Sequence, residues 1–476
     1  MSPTSKHVVV IGAGPGGYVC AIRLAQRGQR VTVIERDALG GTCLNWGCIP
    51  SKALIHAVGA WEDIRQNGAR MGILGGEGLR LDLPAMQTWK RGVLTKLTQG
   101  IGHLFKQHGI VLQTGTARLL PPQPDGFRVA LTRPDGQQET LSADAVVLAA
   151  GSKPMVVGGW APDGQKCLDS RHLLDVTEIP PRLAVLGGGV IGLELGQLFA
   201  RMGSKVTIIE LATQVLPGTD ADIVRVLTCT LKRQGIDIHT GTRLVSIEDT
   251  PASLTLRLHA PPKEDWTLPV DKLLLATGRQ PDVSGLNMEA VGLQPDAKGY
   301  LPVDAQQQTA VPGIYAVGDL CRPPLLAHKA SKEGLVAAEA IAGLPSAWDV
   351  RAMPSAIFTV PEIASVGLSQ SEAEAAGVPV RLGEFPWAAS GRALSTNATT
   401  GFVKLVAHAE TDVLLGAHVI GAHASELLGE LTLAIEMGAT AEDIALTVHA
   451  HPTLSEGWME AAEAVHQLAV HIYQKP

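Results

Sequence analysis

The chain has 476 residues, of which 45% are hydrophobic, 52 are glycine and 30 are proline. That composition is globular and turn-rich, with room for two to four domains and a large core. The formal charge of −7 argues against a nucleic-acid or membrane-surface partner, and no run approaches the roughly 18 to 20 uncharged apolar residues of a membrane span.

The first strand, "HVVVIG", begins at His7. Only six residues precede it, so no signal or transit peptide is expected and the cytoplasm is the expected compartment. The strand opens a unit that recurs. "VVVIGAGPGGYVCAIRLAQRGQRVTVIER" from Val8 aligns without a gap to "LAVLGGGVIGLELGQLFARMGSKVTIIEL" from Leu183, at an offset of 175 residues. Each copy reads as strand, G-x-G-x-x-G, helix, and a second strand ending in an acid. The glycines are Gly12, Gly14 and Gly17, then Gly187, Gly189 and Gly192; the acids are Glu35 and Glu210.

The three glycines permit a tight turn, a close backbone approach to pyrophosphate, and packing of helix on strand. The helix N-terminus offers N–H groups to the phosphates, and the acid accepts hydrogen bonds from a ribose hydroxyl. Two copies in register predict two adenine dinucleotides. A carboxylate at Glu210 repels a 2′-phosphate, and no arginine follows it in "IIELAT". NAD is therefore expected over NADP at the second site.

Between the copies lies "GGTCLNWGCIPSK", residues 40 to 52, with Cys43 and Cys48 five positions apart. In a regular helix their Cα atoms would be roughly 8 Å apart, beyond the reach of a disulfide, about 7 Å. Either the thiols are unrelated or the backbone is bent. Thr42 is the expected N-cap, which would put Cys43 in a first turn where the helix dipole favours a thiolate. Gly47 adds latitude, and Pro50 is expected to distort the helix near Cys48. Lys52 falls one turn after Cys48, on the same face. The other cysteines, Cys20, Cys167, Cys229 and Cys321, are isolated and read as small buried residues. No metal-ligand spacing is present.

Met86, Trp89, Val93, Leu97, Ile101 and Leu104 fall at helical spacing and predict a core-facing helix over 85–105. The apolar strands "AVVLAAGSKP" and "KLLLATGRQP" run into Gly151 and Gly278, and "VPGIYAVGDL" is a further strand reaching Asp319. From about residue 350 the pattern changes to strands such as "GFVKLVAH" and "VLLGAHVI", then to helices after Glu426. The late stretch "HAHPTLSE" puts His451 before Pro452, at an expected helix start, with Glu456 nearby to fix its tautomer. His449 is its rival as a proton acceptor.

Taken in order, "IGAGPGG", "GGTCLNWGCIPSK", "LGGGVIGLELG", "ATGRQP", "YAVGDL", "LAHKASKEG", "FTVPEIASVG" and "HAHPTLSE" resemble the flavin-dependent pyridine nucleotide-disulfide oxidoreductases over essentially the full length. The resemblance implies an α/β fold of two Rossmann-like dinucleotide-binding domains plus a C-terminal α+β dimerisation domain. The expected divisions are 1–150 for FAD and the redox disulfide, 151–276 for NAD, 277–349 returning to the FAD domain, and 350–476 for the interface.

By the same resemblance, Cys48 is the thiol beside the flavin and Cys43 the thiol that exchanges with substrate. His451 is the base and Glu456 its orienting carboxylate. Lys52 and Glu194 match a buried ion pair beside the flavin, Asp319 holds the ribityl chain, and Gly151, Gly278 and Ala327 also lie at the cofactors. The implied activity is NAD+-linked reoxidation of dihydrolipoyl groups. The implied partners are a second copy of the chain, and the lipoyl domain of a 2-oxo acid dehydrogenase acyltransferase or the glycine cleavage lipoyl protein. A related flavin reductase with another acceptor, or a transhydrogenase, is the alternative. Departures from the pattern are the bulky Trp46 and the non-acidic Ser331 and Lys332.

Overall fold

In the computed structural model, which describes residues 5–251, 253–262 and 264–475, the chain divides into two compact units. One comprises residues up to 161 with 169–178 and 277–349; the other comprises 162–168, 179–276 and 350 onward.

The first unit is built on β1 (His7–Ile11), α1 (Pro15–Gln26), β2 (Arg30–Glu35), α2 (Gly41–Trp46), α3 (Cys48–Asn67) and α4 (Leu83–Gln107). Its main sheet runs Ile314–Ala316, Ala145–Leu148, β1, β2, Val111–Thr114. All its pairings are parallel. β1 and Ala145–Leu148 are buried on both faces, which is why they read as apolar runs, whereas the edge strand Val111–Thr114 is largely exposed.

The second unit repeats the design. The helix Val190–Arg201 stands 175 residues after α1. The sheet register repeats too: Val8 faces Val31 across β1 and β2, and Leu183 faces Val206 in the copy. Gly12 and Gly187 take left-handed φ values of 101° and 109°, conformations open to glycine without strain. A Cβ on Gly17 would lie 1.9 Å from the Gly12 carbonyl oxygen, and one on Gly192 would lie 2.0 Å from that of Gly187. The third glycine of each motif is therefore required by helix-on-strand packing.

The C-terminal part of the second unit is a five-stranded antiparallel sheet in the order Ser355–Ile357, Glu362–Gly367, Leu414–Gly421, Phe402–His408, Val380–Pro386. Helices Ala424–Met437 and Glu456–Val465 share its core, in which Trp387, Val403, Leu431 and Trp458 are fully buried.

The helix expected over 85–105 is present as α4, but its apolar stripe is not all core. Met86 and Ile101 are buried, whereas Trp89, Leu97 and Leu104 are exposed. The residue that anchors its C-terminal end is Phe105, outside the assumed stripe.

Candidate functional site

The bend at the cysteines is real, and Gly47 makes it. α2 ends at Trp46 and α3 begins at Cys48, with Gly47 between them at φ −134°, ψ −109°. A Cβ at Gly47 would meet the Thr42 carbonyl oxygen at 2.9 Å. Pro50 does not cause the distortion. It lies in the first turn of α3, where a missing N–H costs nothing. Thr42 is not the cap either. The N-cap of α2 is Gly40, left-handed at φ 88°, and Thr42 Oγ1 accepts a bond from Trp46 Nε1 at 3.2 Å. Asn45 Nδ2 ties the segment down by donating to the carbonyls of Leu39 and Gly41, each at 2.9 Å.

The bend brings the thiols together. Cys43 and Cys48 are hydrogen-bonded to each other, and that bond, with burial and the nearby Cys48 charge, pushes the Cys43 pKa up against the pull of Lys52. The dipole-stabilised thiolate expected at Cys43 is opposed here: its hydrogen bond to Cys48 and its burial favour the protonated thiol. No disulfide links any cysteine among the described residues. Cys20 and Cys321 are buried as expected, and burial lifts Cys20 to about 12; Cys167 is half-buried and Cys229 is exposed.

The thiol pair is pinned to the first phosphate loop. The Gly40 amide donates to the Ala13 carbonyl at 2.8 Å, and a Cβ on Gly41 would sit 2.8 Å from Gly14 Cα. A Cβ added at Gly14 would still meet only Gly41 Cα, at 4.0 Å, and one at Gly189 in the second copy would meet nothing within 4 Å. No side chain caps α1 or its counterpart. Both loops therefore have the open backbone cradle that a pyrophosphate fits. The acids are prepared identically. Glu35 accepts from the Ala13 and Asp37 amides at 2.7 and 2.8 Å; Glu210 accepts from those of Gly188 and Ala212 at 2.6 and 2.7 Å.

A polar chain unforeseen in the sequence surrounds Asp319. Ser152 Oγ bonds Asp319 Oδ2 at 2.5 Å, and Arg279 Nε donates to Ser152 Oγ at 2.8 Å. Burial works against the charge of Arg279, while Asp319, Asp169 and Cys48 favour it. Beneath the turn, buried Glu333 accepts from the Gly318 amide at 2.7 Å and pairs with Lys329 at 2.9 Å. The arginine of "ATGRQP" was the available signal; its partners lie too far along the chain to be inferred. Gly151 and Gly278 are both left-handed, and Ala327 opens the helix Ala327–Ile341, which no side chain caps.

Lys52 stands on α3 in the first unit. Glu194 is buried in the second, where it accepts from the Phe358 amide at 2.9 Å.

In the C-terminal part, His451 and His449 separate cleanly. His451 Nδ1 bonds Glu456 Oε1 at 2.8 Å, and its side chain is 78% exposed. His449 is enclosed, with Nδ1 on the Thr447 carbonyl and Nε2 on Glu430. The helix starts at Glu456, later than Pro452 suggested, and Glu456 Oε2 also accepts from the Thr453 amide at 2.8 Å. Burial opposes ionisation of Glu456, but the Thr453 and His451 bonds outweigh it and hold the carboxyl below its usual range.

Residues 6–334 match the pyridine nucleotide-disulphide oxidoreductase family, and residues 353–462 match its dimerisation domain. The chain belongs to that family. It is 45% identical to the dihydrolipoyl dehydrogenase of Thermus scotoductus over 98% of this chain and 99% of that one. It is 42% identical to the dihydrolipoyl dehydrogenase of Bacillus subtilis over 99% and 98%. Among solved structures it superimposes on LpdA from Mycobacterium tuberculosis with a TM-score of 0.89 at 30% identity, covering 96% of this chain and 99% of that one.

Proposed function

We propose that this protein reoxidises dihydrolipoyl groups and passes the electrons to NAD+. Its cofactors are FAD and NAD, which its two glycine cradles and their fixed acids fit. The observation that carries the reading is the Cys43–Cys48 thiol pair, drawn together at Gly47 and pinned to the first phosphate loop, in a chain whose relatives at 41–45% identity are dihydrolipoyl dehydrogenases.

Gly12, Gly14, Gly17 and Glu35 would hold the adenosine end of FAD. Asp319, Gly151 and Ala327 would hold its ribityl and ring end, with Lys52 beside it. Gly187, Gly189, Gly192, Glu210 and Gly278 would hold NAD. The flavin, when bound, supplies two-electron transfer between thiols and nicotinamide.

The protein's own residues handle the sulfur chemistry. In the oxidised enzyme Cys43 and Cys48 form a disulfide. His451, oriented by Glu456, takes a proton from one substrate thiol, whose sulfur attacks Cys43. The Cys43–Cys48 bond breaks and Cys48 leaves as a thiolate. The second substrate thiol then gives up its proton and displaces the Cys43 sulfur, which takes up that proton and is left hydrogen-bonded to the Cys48 thiolate. The product is a cyclic disulfide and the enzyme is left with the thiol pair.

The protein is a homodimer, and exposed Leu433, Met437, Leu446 and Val448 give its dimerisation domain apolar surface to cover. The natural substrate is a lipoyl group carried on the lipoyl domain of a 2-oxo acid dehydrogenase complex or of glycine cleavage. No helix among the described residues is long and apolar enough to cross a membrane.

The test is a steady-state assay of NAD+ reduction by dihydrolipoamide beside NADPH-linked reduction of oxidised glutathione. Turnover in the first and none in the second is expected; the reverse refutes the reading.

A further inference from the structure

Cys43 rides on a helix of six residues. A helix that short is not stable by itself, and α2 has neither a side-chain N-cap nor a continuous junction with α3. Its position is set by what holds it from outside, and Trp46 is the largest handle.

The Arg171 guanidinium lies over the Trp46 ring, 4.2 Å from the centroid. Arg171 is held in turn by Asp37 at 2.9 Å, and the Asp37 amide donates to Glu35. On its other edge, the Trp46 ring N–H reaches Thr42, the residue before Cys43.

The platform under Arg171 is firm. Its helix, Ser170–Leu174, is closed at the N-terminus by a capping box between Asp169 and His172 and buries Leu173 and Leu174. Lys90 and Gln87 of α4 donate to the Leu174 carbonyl at 2.6 and 3.1 Å. All these residues lie in the first unit.

We infer that Trp46 and Arg171 are positioning residues that clamp α2, so that Cys43 stays in bonding range of Cys48 while the pair is reduced. The inference rests on the redox role proposed above. The disulfide itself ties α2 to α3, so the clamp matters most to the dithiol. Without it the dithiol regains conformational freedom and the disulfide gains nothing, so the equilibrium shifts toward the dithiol. The conformational freedom of about one residue sets the scale, at its lower end about fivefold in the equilibrium constant.

The test is the dithiol–disulfide ratio of the holoenzyme in dithiothreitol buffers, read by acid quench and alkylation. In that exchange Cys43 and Cys48 lose two protons and two electrons and form one S–S bond, and oxidised dithiothreitol is reduced to its dithiol. Trp46→Ala should shift the ratio about fivefold toward the dithiol. Arg171→Ala, which removes a half-exposed side chain and leaves the core intact, should shift it about threefold. The double variant should go no further than Trp46→Ala alone, because both break one contact. Trp46→Phe, which keeps a ring under the guanidinium, should stay within about twofold of the unmodified protein. An unchanged ratio in Trp46→Ala, additive single effects, or a Phe variant as shifted as the Ala variant each overturns the clamp while the redox pair stands. An unmodified protein that forms no Cys43–Cys48 disulfide overturns both.

Discussion

His451 Nδ1 is bonded to Glu456 Oε1 at 2.8 Å while the rest of the imidazole is open to its surroundings. The carboxylate is itself locked by the Thr453 amide, so the ring has one tautomer and one orientation, with Nε2 left to accept a proton. His449, two residues earlier, has both nitrogens occupied. His451→Ala should therefore slow dihydrolipoamide oxidation by about 10²- to 10⁴-fold, the usual contribution of a general base. His449→Ala should cost much less. The rates of both variants, measured as NADH formed per second, decide the assignment; greater damage from His449→Ala would reverse it.

Cys43 and Cys48 share a hydrogen bond that favours the protonated thiol at Cys43. Anaerobic addition of two electrons should then produce a long-wavelength absorption band from a Cys48 thiolate beside the flavin. Cys48→Ser should abolish the band. Cys43→Ser should show it without reductant, since Cys48 then has no disulfide partner and stays reduced. The opposite pattern in the visible spectrum exchanges the two roles.

Glu210 is fixed by two backbone amides just past the end of its strand, and at the proposed NAD site its carboxylate would face a 2′-phosphate. NADPH should be a poor substrate. Glu210→Gln should improve its kcat/KM relative to NADH by about tenfold, an energy of 1.4 kcal/mol, well within the repulsion of two neighbouring charges. Equal use of NADH and NADPH by the unmodified protein would refute this.

These sites differ in how far the sequence discloses them. The two dinucleotide units were legible to the residue, because their chemistry is local: strand, three glycines and an acid fall within thirty positions, and Gly17 has no alternative that fits. The redox bend was legible as a bend but not in its cause. Thr42 and Pro50 carry stronger statistical preferences than Gly47, yet tertiary contacts at Ala13 and Gly14 decide where α2 begins and ends. The Arg279–Ser152–Asp319 chain was illegible, since its members lie 127 and 167 positions apart and no local pattern joins them. On α4, periodicity identified the helix but could not say which of its apolar residues face inward.

Acid stability should depend on Asp220. Burial opposes its ionisation, but Lys404 Nζ at 2.8 Å and Ser371 overcome that and hold its pKa at about 2. Its folded pKa lies below its unfolded one, so the stabilisation is complete above about pH 4 and is lost as pH falls toward 2. The shift corresponds to about 2 kcal/mol. Asp220→Asn should lower unfolding stability by about that amount at neutral pH, with the gap closing in acid. Denaturant midpoints of the two proteins from pH 7 to pH 2 test this; a constant gap would show that the pair contributes nothing through charge.

The last expectation concerns how the dimer assembles its sites. His451 belongs to the dimerisation domain, and beside it Leu446 and Val448 are 75% and 93% exposed. Apolar side chains so exposed on a dimerisation domain are surface for a partner to cover, and His451 is then expected to serve the partner's disulfide. Cys43→Ser and His451→Ala, each inactive alone, should then complement when co-expressed. In a mixed dimer one site collects both defects and the other has an intact Cys43 from one chain and an intact His451 from its partner. Random pairing makes about half of the dimers mixed, each with one working site of two, so roughly a quarter of full activity should return. If Cys43 and His451 of one site came from the same chain, every site in the mixture would carry a defect and no activity would return. The activity of the co-expressed pair against each variant alone therefore separates a shared site from a self-contained one.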